Sequence, residues 1–166
     1  MKFFHFNLLL ILILGFSFSA KASEIKFSAG TGYPFVSVLD VSMPAMNDDQ
    51  RFFANVKAGL DYGFSLGFEQ QLSGNNQTLG FTLGAIGSRD ATHCSDTTNN
   101  STSEFICSLF EVLDSETTNG VALNYSYYFS GVHNSGVKIR FEGGYGQSNR
   151  ANVNRFDGGV ILSYQF

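Results

Sequence analysis

This chain has few cysteines, little positive charge and, after its first 22 residues, no long apolar run, and each shortage excludes a class of protein. The two cysteines, Cys94 and Cys107, are not spaced as C-x-x-C, which argues against a redox centre of that type. Acidic residues outnumber basic residues by 14 to 10, and the sequence has no basic stripe suited to nucleic acid. No later apolar segment approaches the roughly 20 residues of a membrane-spanning helix. We therefore expect no nucleic-acid partner and no helical anchor in the mature chain.

The first segment has the features of a secretory signal peptide. A basic start is followed by a short apolar run over 8–18, and Ala20-Lys21-Ala22 places small residues at the positions that a signal peptidase requires. The alternative is a retained membrane helix, for which this run is too short. We expect residues 1–22 to be removed, so that residues 23–166 form one domain with 8 basic and 14 acidic side chains.

Apolar and polar residues alternate along seven segments of the mature chain, and turn residues separate the segments. Successive side chains of a β-strand point to opposite faces, so each segment predicts a strand with one apolar and one polar face. The seven predicted strands are 24–31, 52–62, 64–72, 78–87, 119–129, 137–147 and 156–166. Alternating strands of about ten residues are typical of bacterial outer-membrane barrels.

An eighth strand is expected, because single-chain bacterial barrels have an even number of strands. The two candidates, 33–41 and 105–113, alternate less cleanly than the other segments. If 33–41 is the strand, the cysteine-bearing stretch 88–118 becomes a long outer loop. If 105–113 is the strand, residues 88–104 become a long periplasmic loop. Long loops of such barrels lie outside the cell, which favours the first candidate.

The polar face of the predicted strands carries charges and glycines, whereas the apolar face is rich in aromatics. Four basic and five acidic residues on the polar face are expected to form a network of ion pairs in the lumen: Glu24, Lys26, Lys57, Asp61, Glu69, Lys138, Arg140, Glu142 and Asp157. A Lys or Arg facing lipid near the midplane would cost about 2–4 kcal/mol. A soluble barrel of the lipocalin type has the opposite arrangement, with an apolar interior. The pattern therefore predicts charges inside and apolar residues outside.

These features resemble the small eight-stranded outer-membrane proteins of the OmpA/OmpX type. The resemblance depends on Ala20-Lys21-Ala22, on the repeated glycine and aromatic strands, and on the last residues of the chain, where Val160, Leu162, Tyr164 and Phe166 alternate. That last pattern is similar to the signal read by the barrel-assembly machinery. The resemblance implies an all-β, eight-stranded antiparallel up-and-down transmembrane β-barrel. It also implies a Gram-negative outer-membrane location, a monomer, and contacts with outer-membrane lipids and lipopolysaccharide.

We expect a structural or surface-interaction role, in which the barrel presents the acidic loop 88–118. A disulfide between Cys94 and Cys107 is expected to close part of this loop. Closing that loop is worth about 3 kcal/mol in the chain-entropy model. One alternative is a narrow ion or small-solute pore controlled by the switching of ion pairs.

The second alternative is a lipid A-modifying hydrolase built on His133, Ser135 and Glu142. Against it, His133 falls in a predicted periplasmic turn, on the wrong side for the outer leaflet. We expect no enzymatic activity, no cofactor and no metal.

Overall fold

The computed structural model describes residues 25–59, 61–90 and 115–166, and every regular element within them is a β-strand. The strands are β1 (Lys26–Tyr33), β2 (Ser37–Pro44), β3 (Gln50–Ala58), β4 (Tyr62–Gln71), β5 (Gln77–Asp90), β6 (Ser115–Tyr128), β7 (Gly136–Ser148) and β8 (Asn154–Gln165). Each strand is antiparallel to its neighbours in sequence, and β8 pairs with β1 to close the barrel. The predicted all-β, eight-stranded antiparallel up-and-down barrel is confirmed.

The eighth strand is β2, which overlaps the first of the two predicted candidates and pairs with both β1 and β3. Its alternation is weak in the sequence because Val38 is apolar but faces the interior, between the outward Ser37 and Leu39. The other candidate, 105–113, lies outside the described residues. The predicted disulfide between Cys94 and Cys107 lies outside them as well.

The stagger of the strands sets the width of the interior. A path of paired residues runs once around the barrel, and extending the register of the β1–β8 pairing to its last residue gives a total shift of ten positions. The path runs through Ser28, Asp40, Asn55, Ser65, Gly84, Gly120, Gly146 and Arg155. Eight strands with this stagger are tilted by about 40° and leave an interior just wide enough for side chains. Residues from opposite walls are therefore within reach of one another.

The two ends of the barrel differ. The first and last strands begin and end at one end, which we call the terminus end, together with the turns 45–49, 72–76 and 129–135. The turns 34–36 and 149–153 lie at the other end, which we call the loop end because the longest connection leaves β5 there. Strands β5 to β8 have 12 to 14 residues, whereas β1 to β4 have 8 to 10, so one side of the wall is taller.

Strand β5 bends over the interior near the loop end. The pairing of β5 with β6 shifts between Ala85 and Gly87, which marks a β-bulge, and Gly84 has a φ of 118° that L side chains rarely adopt. Beyond the bulge, β5 approaches β8, where the Nη2 of Arg89 donates to the carbonyl of Phe156 at 2.6 Å. This bend brings the loop end of β5 toward β8, across the opening at the loop end of the barrel.

Candidate functional site: the charged interior

Along the middle of its strands, the barrel buries charged side chains and exposes most of its large apolar side chains. Along β3, Arg51 and Lys57 point inward and are 7% and 0% exposed, whereas the outward Val56 is 52% exposed. Leu123 on β6 and Phe156 on β8 face outward and are 70% and 75% exposed. This distribution is the reverse of the one that water favours for a soluble domain. The charged interior is therefore the candidate functional site.

Four residues from three strands form the central cluster: Asp40, Glu69, Lys138 and Arg140. The Nη1 of Arg140 donates to Oδ2 of Asp40 at 2.8 Å, and its Nη2 lies 3.0 Å from Oε1 of Glu69. Lys138, two residues earlier on β7, donates from Nζ to Oδ1 of Asp40 at 3.1 Å. The guanidinium of Arg140 also lies over the ring of Phe53, 4.0 Å from its centre. The cluster ties β7 to β2 and β4 across the lumen.

Glu69 is satisfied by hydroxyls as well as by Arg140. Ser126 Oγ donates to its Oε1 at 2.8 Å, and Tyr128 OH donates to its Oε2 at 2.9 Å. Glu69 itself is fully buried. A buried charge is tolerated only when it is both paired and hydrogen-bonded, and Glu69 meets both conditions.

A second ion pair lies on the loop side of the central cluster. Lys57 Nζ pairs with Oε2 of Glu142 and also donates to the carbonyl of Ala85 at 2.7 Å. The ring of Phe35 lies 5.4 Å from the same ammonium. This pair joins β3 to β7, so β7 supplies three of the interior ionisable groups.

The turn 129–135 closes the terminus end. Val132 in this turn is 2% exposed, and its carbonyl accepts hydrogen bonds from Arg51 Nη2 at 2.8 Å and from Gln165 Nε2 at 3.0 Å. Arg51 also donates from Nη1 to Tyr128 OH at 3.1 Å, which links this closure to Glu69. Side chains from β3 and β8 therefore hold the turn over the mouth of the barrel.

Phe35 closes the loop side. It comes from the turn between β1 and β2, is 3% exposed, and packs with Val38, Ala85 and Ile161 in an apolar cluster. Gly63 on β4 lies beside this cluster, and a Cβ at that position would collide with the side chain of Ala85. The glycine is thus required by close packing around the Phe35 ring. Both ends of the charged interior are filled by side chains.

A smaller polar group forms the loop-end rim. Arg155 donates from Nη1 to Oε1 of Glu116 at 2.5 Å, and its Nε lies 3.4 Å from Oδ2 of Asp157. Ser148 Oγ donates to the other oxygen of Glu116 at 2.6 Å. These contacts join the loop ends of β6, β7 and β8.

Asp61 anchors the turn between β3 and β4 to this rim. Its Oδ2 accepts hydrogen bonds from the backbone N–H of Thr117 at 2.9 Å and from Asn149 Nδ2 at 3.0 Å, and its Oδ1 accepts one from the N–H of Tyr62 at 2.8 Å. Burial raises the pKa of the Asp61 carboxyl, but the hydrogen bonds from these three residues outweigh burial and hold the pKa below its ordinary value of 3.8. The ionised form is the one that holds the rim together.

The lowered pKa of Asp61 predicts a specific pH dependence. A carboxyl with a depressed pKa stabilises the folded state above pH 3.8, and this contribution is lost as the pH falls through the lower folded value. Urea unfolding in lipid vesicles between about pH 5 and pH 2 should therefore show a shallower loss of stability for Asp61→Asn than for the wild type. Asp48→Asn, in an exposed turn, is the control. Equal slopes for the wild type and Asp61→Asn would contradict this role.

The structure separates the predicted lumen residues into three groups. Five lie in the interior: Lys57, Glu69, Lys138, Arg140 and Glu142. Asp61 and Asp157 lie at the loop-end rim, and Lys26 is half-buried at the terminus end of β1. Glu24 is outside the described residues. The residues of the predicted assembly signal, Val160, Leu162, Tyr164 and Phe166, all face outward.

The residues of the predicted hydrolase are not brought together. His133 and Ser135 are exposed in the terminus-end turn, whereas Glu142 is buried and paired with Lys57. A triad requires its acid to orient its histidine, and this acid already binds a lysine in the interior.

Sequence reasoning missed three interior residues. Asp40 belongs to the strand whose alternation was weak, and Arg51 comes one residue before the predicted start of its strand at 52. Tyr128 falls on the same face of the predicted strand 119–129 as Asn124 and Ser126, but it carries no charge and was not included among the lumen residues. Extending each polar face by one residue and including tyrosine would have found Arg51 and Tyr128.

Comparisons with other proteins add no further constraint. No protein-family model, curated protein or solved structure matches this chain. Across 25–59, 61–90 and 115–166, no group of three or more His, Cys, Asp or Glu side chains is arranged to hold a metal ion. In the same part of the chain no helix is long and apolar enough to cross a membrane.

Proposed function

We propose that this protein is a membrane-embedded barrel of a bacterial outer membrane, with a closed interior and a structural or surface-interaction role. The observation that carries the proposal is the inverted burial: Lys57, Lys138 and Arg140 are at most 2% exposed, while apolar side chains such as Leu123 cover the outer wall. In lipid this arrangement is favourable, because hydrocarbon meets apolar side chains and the charges stay paired inside.

The outer wall also has the dimensions of a bilayer. Between Phe156 and Phe166 lie ten residue steps of β8, about 33 Å along the strand and about 25 Å along the axis at a tilt of about 40°. Exposed aromatics stand near both ends of the wall, as in the aromatic girdles of outer-membrane barrels. They are Tyr33, Tyr62, Tyr145 and Phe156 toward the loop end and Phe27, Phe129, Tyr164 and Phe166 toward the terminus end.

The filled interior supports a structural role rather than ion conduction. The central cluster and the Lys57–Glu142 pair cross the lumen, and Phe35 and the turn 129–135 fill its two ends. A barrel stiffened in this way would present the connection 91–114 to the surroundings of the cell. That connection includes the two cysteines and most of the acidic stretch that the sequence predicts to be a surface loop.

The proposal predicts the sidedness of the connections. An epitope tag inserted between Asn99 and Asn100 should bind antibody on intact cells, because the long connections of such barrels lie outside. The same tag inserted between Gly74 and Asn75, in a terminus-end turn, should bind antibody only after permeabilisation. Antibody binding to the second tag but not to the first on intact cells would show that the barrel has the opposite orientation.

The closed interior predicts the absence of a pore. Purified protein in a planar bilayer should give no discrete current steps, because Val132 and Phe35 fill the mouths and ion pairs cross the space between them. A large porin inserted in the same membrane is the positive control. Regular steps from the wild-type protein, altered in size by Arg51→Gln, would support the pore in place of the closed barrel.

A further inference from the structure

Several interior side chains have polar atoms without a partner among the described residues, and four of these side chains lie on adjacent strands. The hydroxyls of Ser163 on β8, Ser28 on β1 and Ser42 on β2 are each more than nine-tenths buried and have no hydrogen-bond partner in the part of the chain that the structure describes. On the next strand, β3, both side-chain polar atoms of Asn55 are also unpartnered, and this residue is 1% exposed. Four adjacent strands thus present unused polar groups to the same interior. Buried polar groups are normally satisfied, so these groups point to a ligand.

Pairing of the strands places one of these hydroxyls beside Lys138 and another beside Asp40, the carboxylate that Lys138 binds. Ser163 is directly opposite Lys138 on β7, and Ser28 is directly opposite Asp40 on β2. Lys138 has three N–H donors, and in the described chain it donates one hydrogen bond, to Asp40. Gly30 lies opposite Ser163 on β1, where any Cβ would collide with the serine side chain. We call Ser28, Ser42, Ser163 and Lys138 the donor layer.

The interior also holds more basic than acidic side chains. In the interior, including the side chains that hold the terminus-end closure, the described residues supply four basic groups and three carboxyl groups. The basic groups are Arg51, Lys57, Lys138 and Arg140, and the carboxyl groups are Asp40, Glu69 and Glu142. The guanidinium of Arg51 donates to Tyr128, Val132 and Gln165, and no described carboxylate pairs with it. An unbalanced charge in a space of low dielectric constant attracts a counter-ion.

We propose that the donor layer binds one small monovalent anion, of which chloride is the simplest. Every group in the layer can donate a hydrogen bond, and an anion supplies both the acceptor and the missing negative charge. Water would satisfy the hydroxyls but would leave the charge excess in place. A larger anion such as gluconate does not fit an interior just wide enough for side chains.

Replacing one anion by another at constant ionic strength tests this inference. The midpoint of thermal unfolding of the purified barrel in neutral detergent should rise with chloride or bromide and stay constant with gluconate. Ser163→Ala and Ser28→Ala should each weaken the halide dependence about tenfold, because each removes one donor to a charged acceptor. Elemental analysis of the bromide that stays with the protein after refolding in bromide and gel filtration into gluconate gives an independent measure of binding that does not require unfolding.

The matched control is Ser65→Ala. Ser65 is fully buried in the interior, but its hydroxyl donates to the carbonyl of Ala85 at 2.8 Å, so it should leave the halide dependence unchanged. Identical midpoints in chloride and gluconate, with no bromide retained by the wild type, would show that the layer holds only water. Equal loss of halide dependence in Ser65→Ala and Ser163→Ala would also overturn the proposal. Neither result bears on whether the barrel lies in a membrane.

Discussion

Arg140→Met should lower the free energy of unfolding by about 3–5 kcal/mol, the largest loss that we expect from a single interior substitution. Arg140 pairs with Asp40 and Glu69 at once, and both carboxylates are buried. Methionine fills a similar volume but leaves Glu69 to hydroxyl donors and Asp40 to Lys138. Much of the loss therefore comes from the carboxylates that remain, rather than from the bond that is removed. Urea unfolding in phospholipid vesicles measures it.

The control for Arg140→Met is Arg89→Met, because the Arg89 side chain is 56% exposed and pairs with Asp157 at 3.5 Å. An exposed pair of this kind is worth about 0–1 kcal/mol. The double variant Arg140→Met with Asp40→Asn should lose less stability than the sum of the losses of the two single variants. The second change removes one of the two carboxylates that lose their arginine partner. Additive losses, or equal losses at positions 140 and 89, would contradict a structural role for the central cluster.

Leu123→Arg should destabilise the barrel in lipid by about 2–4 kcal/mol, whereas Asn119→Arg should cost about 0–1 kcal/mol. Both residues face outward on β6, four residues apart, but Leu123 lies near the middle of the apolar wall and Asn119 near its loop end. The difference between the two stability losses reports depth in the bilayer, because the strand, the face and the introduced side chain are the same. Unfolding in vesicles of thin and thick lipids provides the measurement.

A soluble barrel would respond differently to the same pair. In water an outward arginine is solvated at either position, so Leu123→Arg would be neutral or would improve solubility. Equal stability of the two variants in vesicles would therefore argue against lipid contact at Leu123.

The alternation of the sequence was sufficient to predict the barrel, because most outward positions in the middle of seven strands are apolar and most of their neighbours are polar or small. Alternation is a local property, and it requires no knowledge of which strands meet. It weakened in β2 because Val38 faces inward, against Phe35. There the packing of an interior apolar cluster overrides the simple rule that polar residues face the lumen.

The partners inside the barrel could not be predicted in the same way. Arg140 and Asp40 are 100 residues apart, and their contact depends on the stagger of all eight strands. Charge balance predicts that pairs form but not which residues pair. The hydrogen bond of Arg51 to the carbonyl of Val132, and the closure by Val132, depend on how the turn 129–135 folds over the mouth, which no periodicity in the sequence predicts.

Oxygen accessibility along β6 tests most directly whether lipid surrounds the outer wall. Spin labels placed one at a time from Asn119 to Tyr127, in a cysteine-free variant reconstituted in vesicles, report contact with nonpolar oxygen and with a polar nickel reagent. Oxygen accessibility should alternate with a period of two, high at Val121, Leu123 and Tyr125 and low at the buried Ala122 and Asn124. The nickel reagent should reach none of these five positions. High nickel accessibility at Leu123, or oxygen accessibility without alternation, would mean that hydrocarbon does not cover this face.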